Sequence, residues 1–130
     1  VKWCNSRVES FLSDSHGRDG ILEGEMAFDA DGKILALRAR NFVGIGPYTT
    51  QYTAIFGTAN TKNCLSSVYR IPAIQLDVTL VFTNAAPLGP YRGAGRPEAI
   101  YVVERLIDGA ARKLGIDRAT LRRRNFIPPS

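Results

Sequence analysis

The most regular run of apolar positions lies between Pro97 and Leu114. Ala99, Val103, Leu106 and Ala110 recur at three- and four-residue intervals, with Ile100, Ile107, Ala111 and Leu114 beside them. That stripe predicts an amphipathic helix over residues 97–114. Gly115 stands where a C-cap glycine belongs, and Asp117 is placed to cap a second helix through Arg124. Elsewhere the period is two. Leu22, Gly24, Met26 and Phe28 alternate with Glu23 and Glu25. After a turn at residues 29–33, a return strand over 34–43 sets Leu35, Leu37 and Ala39 against Arg38 and Arg40. The two strands read as a hairpin. A third strand over 74–82 places Ile74, Leu76, Val78 and Leu80 on one face.

The first residues are shorter in pattern. Lys2-Trp3-Cys4 reads as a short strand. Ser6 and Glu9 have capping-box spacing, so a short helix is expected to bring Val8, Phe11 and Leu12 together on one face. Residues 49–58 read as a short helix or irregular segment, and residues 60–63 as loop. The sum is an α+β chain, with antiparallel strands and helices packed on one side, forming a single unit over residues 1–130.

Composition changes this picture little. The 130 residues are 45% hydrophobic, enough for one core. No apolar run is long enough for a membrane span and no secretory signal is present, so a cytoplasmic, reducing setting is expected. Cys4 and Cys64 have no metal-binding spacing and are expected as buried thiols. The net charge of +5 admits nucleic acid as a partner. The basic residues are spread along the chain, however. The densest run, Arg122-Arg123-Arg124, lacks interleaved aromatics and reads as a solvated helix face or subunit contact. No nucleic acid is therefore expected, and a basic nucleic-acid-binding domain stands as a weaker alternative.

Candidate chemistry gathers in Pro90-Tyr91-Arg92-Gly93-Ala94-Gly95-Arg96-Pro97-Glu98-Ala99. Glycines permit positive φ and close backbone approach. A helix start offers free N–H groups to an anion, and arginines add forked donors. The loop suits a phosphate-bearing ligand; it also suits a plain helix start with two solvated arginines. Other motifs fail on inspection. Asp29-x-Asp31-Gly32 lacks the later ligands of a calcium loop. Gly44-Ile45-Gly46-Pro47 lacks the third glycine of a dinucleotide fingerprint. His16, the only histidine, has no partner residue for metal binding and reads as structural.

The loop Tyr91-Arg92-Gly93-Ala94-Gly95-Arg96 resembles the active-site loop of molybdenum hydroxylases, the xanthine dehydrogenase and aldehyde oxidase family. More narrowly, it resembles the large, molybdopterin-binding subunit of the form II carbon monoxide dehydrogenase type. Val1-Lys2-Trp3, Arg7-Val8-Glu9, His16-Gly17-Arg18-Asp19, Tyr69-Arg70-Ile71-Pro72, Thr83-Asn84 and Leu121-Arg122-Arg123-Arg124-Asn125-Phe126 follow in the family's order. The resemblance implies a piece of a longer subunit. Val1, which is no initiator, and Pro128-Pro129-Ser130, which reads as the start of a connection, agree with that.

The family implies a molybdopterin cofactor, usually the cytosine dinucleotide in bacteria. It implies hydroxylation of a small molecule with oxygen from water, and electron transfer through iron–sulfur and flavin partner subunits. By resemblance, Tyr91, Arg92, Gly93, Ala94 and Gly95 bind the cofactor, and Arg92 is the catalytic residue, beside the metal's oxygen ligands or the substrate. Gly93 replaces the copper-bearing cysteine of form I enzymes. Ala94 replaces the phenylalanine of xanthine oxidisers, and Asn60 stands where their substrate arginine falls. An aldehyde or N-heterocycle is therefore the expected substrate. The family's catalytic glutamate has no match in this chain, Glu98 being read as a favourable charge at the helix start. No iron–sulfur cysteine pattern is present. A non-catalytic cofactor-binding or interaction module is the alternative reading.

Overall fold

The computed structural model describes residues 1–129. Ser130, at the end of the expected connection, lies outside them. The chain forms α1 (Arg7–Ser13), β1 (Gly20–Phe28), β2 (Ile34–Gly46), α2 (Thr53–Gly57), α3 (Ala59–Cys64), β3 (Ile74–Phe82), α4 (Arg96–Leu114) and α5 (Arg118–Asn125). The α+β expectation holds. Residues 60–63, read as loop, lie within α3, and Lys2-Trp3-Cys4 forms no strand.

The sheet order is β1-β2-β3. The hairpin pairs β1 antiparallel to β2, but β2 pairs parallel to β3, from Leu37 opposite Ile74 to Gly46 opposite Phe82. The sheet is thus mixed rather than wholly antiparallel. Alternation of apolar residues carries no strand direction. The connection over residues 47–73, which contains α2 and α3, is long enough to return the chain to the same end of the sheet.

One face of β2 is buried at Leu37, Ala39, Asn41, Val43 and Ile45, while Arg38, Arg40 and Phe42 face outward. A register shift beside Phe28 sets Phe28 opposite Ile34 and Ala27 opposite Ala36. Leu35 is the extra residue of this bulge. Ile34 therefore enters the core at 3% exposure, while Leu35, expected inside, is 49% exposed.

Helix α4 lies on this face. Gly24 allows the approach, since a Cβ there would stand 2.7 Å from Val102 Cγ2. Ala99, Val102, Val103, Ile107 and Ala111 are buried. Ile100 and Leu114, at the margins of the stripe, are exposed. The core joins them to Ile34, Leu37, Leu65, Tyr69 and Leu121. Gly115 closes α4 in the left-handed region at φ 65°, and the Asp117 side chain accepts from Thr120 N, as expected.

Polar staples fix α5. Asn125 Nδ2 donates to the carbonyls of Gly32 and Leu121, and its Oδ1 accepts from Ile34 N at 2.8 Å. Arg122 sits 2.7 Å from Glu104 and 2.8 Å from Asp108 of α4. Tyr69 donates its hydroxyl to Glu104 at 2.6 Å. Burial of that phenol, with Glu104 beside it, pushes its pKa up to about 12.

Helix α1 has the expected capping box between Ser6 and Glu9 but no buried residue. Val8, Phe11 and Leu12 share its surface and are exposed. Cys4, expected buried, is also exposed; Cys64 is half-buried, and both are free thiols.

Candidate functional site

β3 delivers the chain into residues 83–89, which are tied to the segment before β1. His16 N donates to Pro87 O at 2.9 Å, and Gly89 N donates to His16 O at 2.8 Å. His16 is thus structural through its backbone. Its ring meets Phe11 edge-on at 6.3 Å.

The next residues turn sharply. Gly93 (φ 90°), Ala94 (φ 36°) and Gly95 (φ 92°) are three consecutive left-handed residues. The two glycines adopt this without a Cβ clash, and Ala94 is held there against its own preference. Three hydrogen bonds hold the turn: Ala94 N to Tyr91 O at 2.7 Å, Arg96 N to Gly93 O at 3.1 Å, and Asn60 Nδ2 to Ala94 O at 2.9 Å.

The expected site residues separate by direction. Tyr91, Arg92 and Gly93 are exposed, Ala94 is half-buried and Gly95 is buried. A Cβ on Gly95 would stand 2.3 Å from the Phe56 carbonyl oxygen, so its close approach is to α2 rather than to a ligand. At Gly93 the Cβ position is already crowded by Pro97 Cγ at 2.8 Å. Its requirement for glycine therefore comes from the chain's own turn.

Three residues support the loop through contacts that the sequence reading did not give them. Arg18 Nη2 donates to the Arg92 carbonyl at 2.5 Å, and its guanidinium carbon lies 4.7 Å from the centre of the Tyr91 ring. Arg18 Nε is 3.6 Å from Glu98 Oε1. The other Glu98 oxygen, Oε2, is buried with no hydrogen-bond partner among the described residues. Asn60 supports the loop from α3. A contact spanning 74 positions leaves no local pattern to find.

Behind the loop lies a cavity of about 70 Å³, lined by Arg18, Asp19, Asn41, Thr61, Tyr91 and Glu98, among others. It has room for a few waters, not a pterin ring. Outward, the Arg92 side chain and the Gly93 N–H, which donates to no group among the described residues, lie beside the positive N-terminal end of the 19-residue α4. Arg18 offsets the charge of Glu98. This donor set fits an anionic, phosphate-bearing group lying along the outer face of the loop. Among the described residues, no three histidine, cysteine or carboxylate side chains converge to hold a metal ion.

The basic run is divided by the fold. Arg122 is engaged by Glu104 and Asp108, and Arg124 donates to the Asp31 carbonyl at 2.6 Å. Only part of the run faces solvent, which weakens it as a nucleic-acid surface. No helix is long and apolar enough to cross a membrane among the described residues.

Residues 1–126 match the molybdopterin cofactor-binding domain. The chain is 38% identical over 129 residues to the carbon monoxide dehydrogenase large chain of Hydrogenophaga pseudoflava, covering 98% of this chain and 16% of the relative. It is 35% identical over 127 residues to the 6-hydroxypseudooxynicotine dehydrogenase complex subunit gamma of Paenarthrobacter nicotinovorans, with the same coverage of 98% and 16%. The crystal structure of quinoline 2-oxidoreductase from Pseudomonas putida 86 superposes with a TM-score of 0.92 at 36% identity, over 98% of this chain and 16% of that one. The chain thus spans about one sixth of the length of these relatives. With the fold, the loop and these matches in agreement, the chain belongs to the molybdopterin cofactor-binding domain family of the molybdenum hydroxylases.

Proposed function

We propose that this chain supplies one wall of the molybdenum cofactor site in a larger oxidoreductase subunit that hydroxylates an aldehyde or N-heterocycle with oxygen from water. The observation that carries this reading is the loop itself. Three left-handed residues at the start of α4 turn Tyr91, Arg92 and Gly93 outward, beside a positive helix end. When bound, molybdopterin supplies the two-electron oxidation of the substrate. The residues of this chain bind and orient. Tyr91, Arg92 and Gly93 line the cofactor face with Ala94 at its margin, while Gly95 shapes the turn behind it. Arg92 is the catalytic residue, placing a fixed positive charge where an anion develops.

The substrate class rests on side chains and on the relatives' names. Gly93 has no thiol to hold copper, which disfavours carbon monoxide oxidation by a copper–molybdenum site. Ala94 is small, which suits a ring-shaped substrate. Quinoline, named for one similar enzyme, is such an N-heterocycle. The cytosine dinucleotide form of the cofactor, iron–sulfur and flavin partner subunits, and a cytoplasmic location belong to the same proposal. The 130-residue chain alone is proposed to be inactive, because the 70 Å³ cavity leaves the cofactor without its other walls.

The test is Arg92→Met in the assembled enzyme, read by kcat and by molybdenum content. A fall in kcat of about 100-fold with assembly intact supports the proposal. Unchanged kcat and unchanged cofactor content would reject it. Ala94→Phe tests the pocket: bulky substrates should be lost and small ones kept, and retention of the bulky ones counts against the substrate class.

A further inference from the structure

The Gly17-Arg18 pair lies in the segment before β1, far from α4 in sequence, yet Arg18 touches two residues of the loop that precedes α4 and one in α4's first turn. Arg18 donates to the Arg92 carbonyl at 2.5 Å, covers the Tyr91 ring at 4.7 Å and faces Glu98 Oε1 at 3.6 Å. Gly17 makes the seat possible, since a Cβ there would stand 2.6 Å from Tyr91 Cβ. Arg18 itself is held at φ 62°, a left-handed conformation unusual for an arginine. Strain of this kind persists only where surrounding contacts over-determine it. One planar guanidinium with five donors can serve a carbonyl, a ring face and a carboxylate together, and a lysine ammonium cannot match that geometry.

The peptide that Arg18 grips is the one joining Arg92 to Gly93. That peptide is trans, so its N–H points opposite to its C=O. Anchoring the Arg92 carbonyl on Arg18 therefore aims the Gly93 N–H the other way. The Gly93 N–H donates to no group among the described residues, and Gly93 is exposed. We propose that Arg18 is a positioning residue: it fixes the plane of the Arg92–Gly93 peptide so that the Gly93 N–H is presented, pre-aimed, to an anionic oxygen of the bound cofactor. Glu98 Oε1 lies 3.6 Å from Nε of the same guanidinium and balances its charge. The inference rests on the reading of the loop as the cofactor face.

The experiment uses the complete subunit in its assembled complex, as wild type, Arg18→Met and Arg18→Lys. Amide hydrogen exchange is followed in the peptide covering residues 90–96, with and without cofactor. Molybdenum and pterin retained after dialysis are measured in parallel. In the wild type, bound cofactor should slow exchange in this peptide. Arg18→Met should abolish that slowing and lower retained molybdenum by about ten- to a hundred-fold, the effect usual for a supporting partner behind a metal site. Arg18→Lys should fall between. Slowed exchange in the wild type that survives unchanged in Arg18→Met overturns the positioning role and leaves the loop reading intact. No slowing in the wild type overturns the loop reading itself, and the inference with it. Should Arg18→Met not assemble, Arg18→Lys decides: full protection and full molybdenum retention reject the proposal, and partial loss of both supports it.

Discussion

The two ends of α4 are held by different means. Its C-terminal half is packed. Ile107 and Ala111 are buried in one core with Ile34 and Leu121, and Arg122 ties α5 back to Glu104 and Asp108. Its N-terminal end is steered instead. Three left-handed residues, the Asn60 amide and the Arg18 guanidinium set the path of the loop that enters α4, and burial in the main core begins only at Ala99 in its first turn. Non-directional burial stabilises the first end. Directional contacts specify the second, at the cost of strain at Arg18 and Ala94. The lesson is that stability and presentation are separated along one helix.

The comparison is broken most severely by opening the packed end. Leu121→Ala should lower unfolding free energy by about 2–5 kcal/mol, read from the urea midpoint, because the fully buried leucine leaves a cavity. Exchange in residues 90–96 should then change only through global unfolding. The next effect comes from the steered end. Gly95→Ala places a Cβ 2.3 Å from the Phe56 oxygen at φ 92°, and should cost about 1–3 kcal/mol in backbone strain with a matching local gain in exchange over residues 90–96. A cost near zero would mean that the turn is not held as described.

Tyr69 sharpens the contrast through pH. Its folded pKa lies at about 12 against an ordinary 10, so the folded protein binds its proton more tightly than the unfolded chain does. The stability from that proton is present below pH 10 and is lost as pH rises from 10 towards 12. Tyr69→Phe should flatten this alkaline decline in the urea midpoint; an unchanged slope would place its origin elsewhere. The smallest effect is expected at α1, which buries no residue. Ser6→Ala should speed amide exchange within residues 7–13 while moving the global midpoint by no more than about 0.5 kcal/mol. A larger shift would show that α1 contributes to the core after all.

Much of the packed end was legible in the sequence. The α4 stripe, the hairpin, Gly115 and Asp117 each follow from local spacing. Leu35 was misplaced because a bulge reverses alternation without any residue that marks it. Val102 was missed because a stripe locates the centre of a buried face better than its margins. The motif Tyr91–Gly95 was visible as a candidate site, but the reason for its glycines was not. Gly95 is required by the Phe56 carbonyl, a neighbour distant in sequence.

The sequence by itself determined the hairpin, β3, α4 and α5, the α+β class, the loop and the family resemblance, because periodicity, caps and short motifs are encoded among near neighbours. Only the tertiary structure decided that β3 runs parallel to β2, that Gly95 turns inward while Arg92 faces out, and that Arg18 meets the loop. Strand direction, side-chain heading and a contact across 74 positions arise from how the chain folds back on itself, and no local pattern carries them.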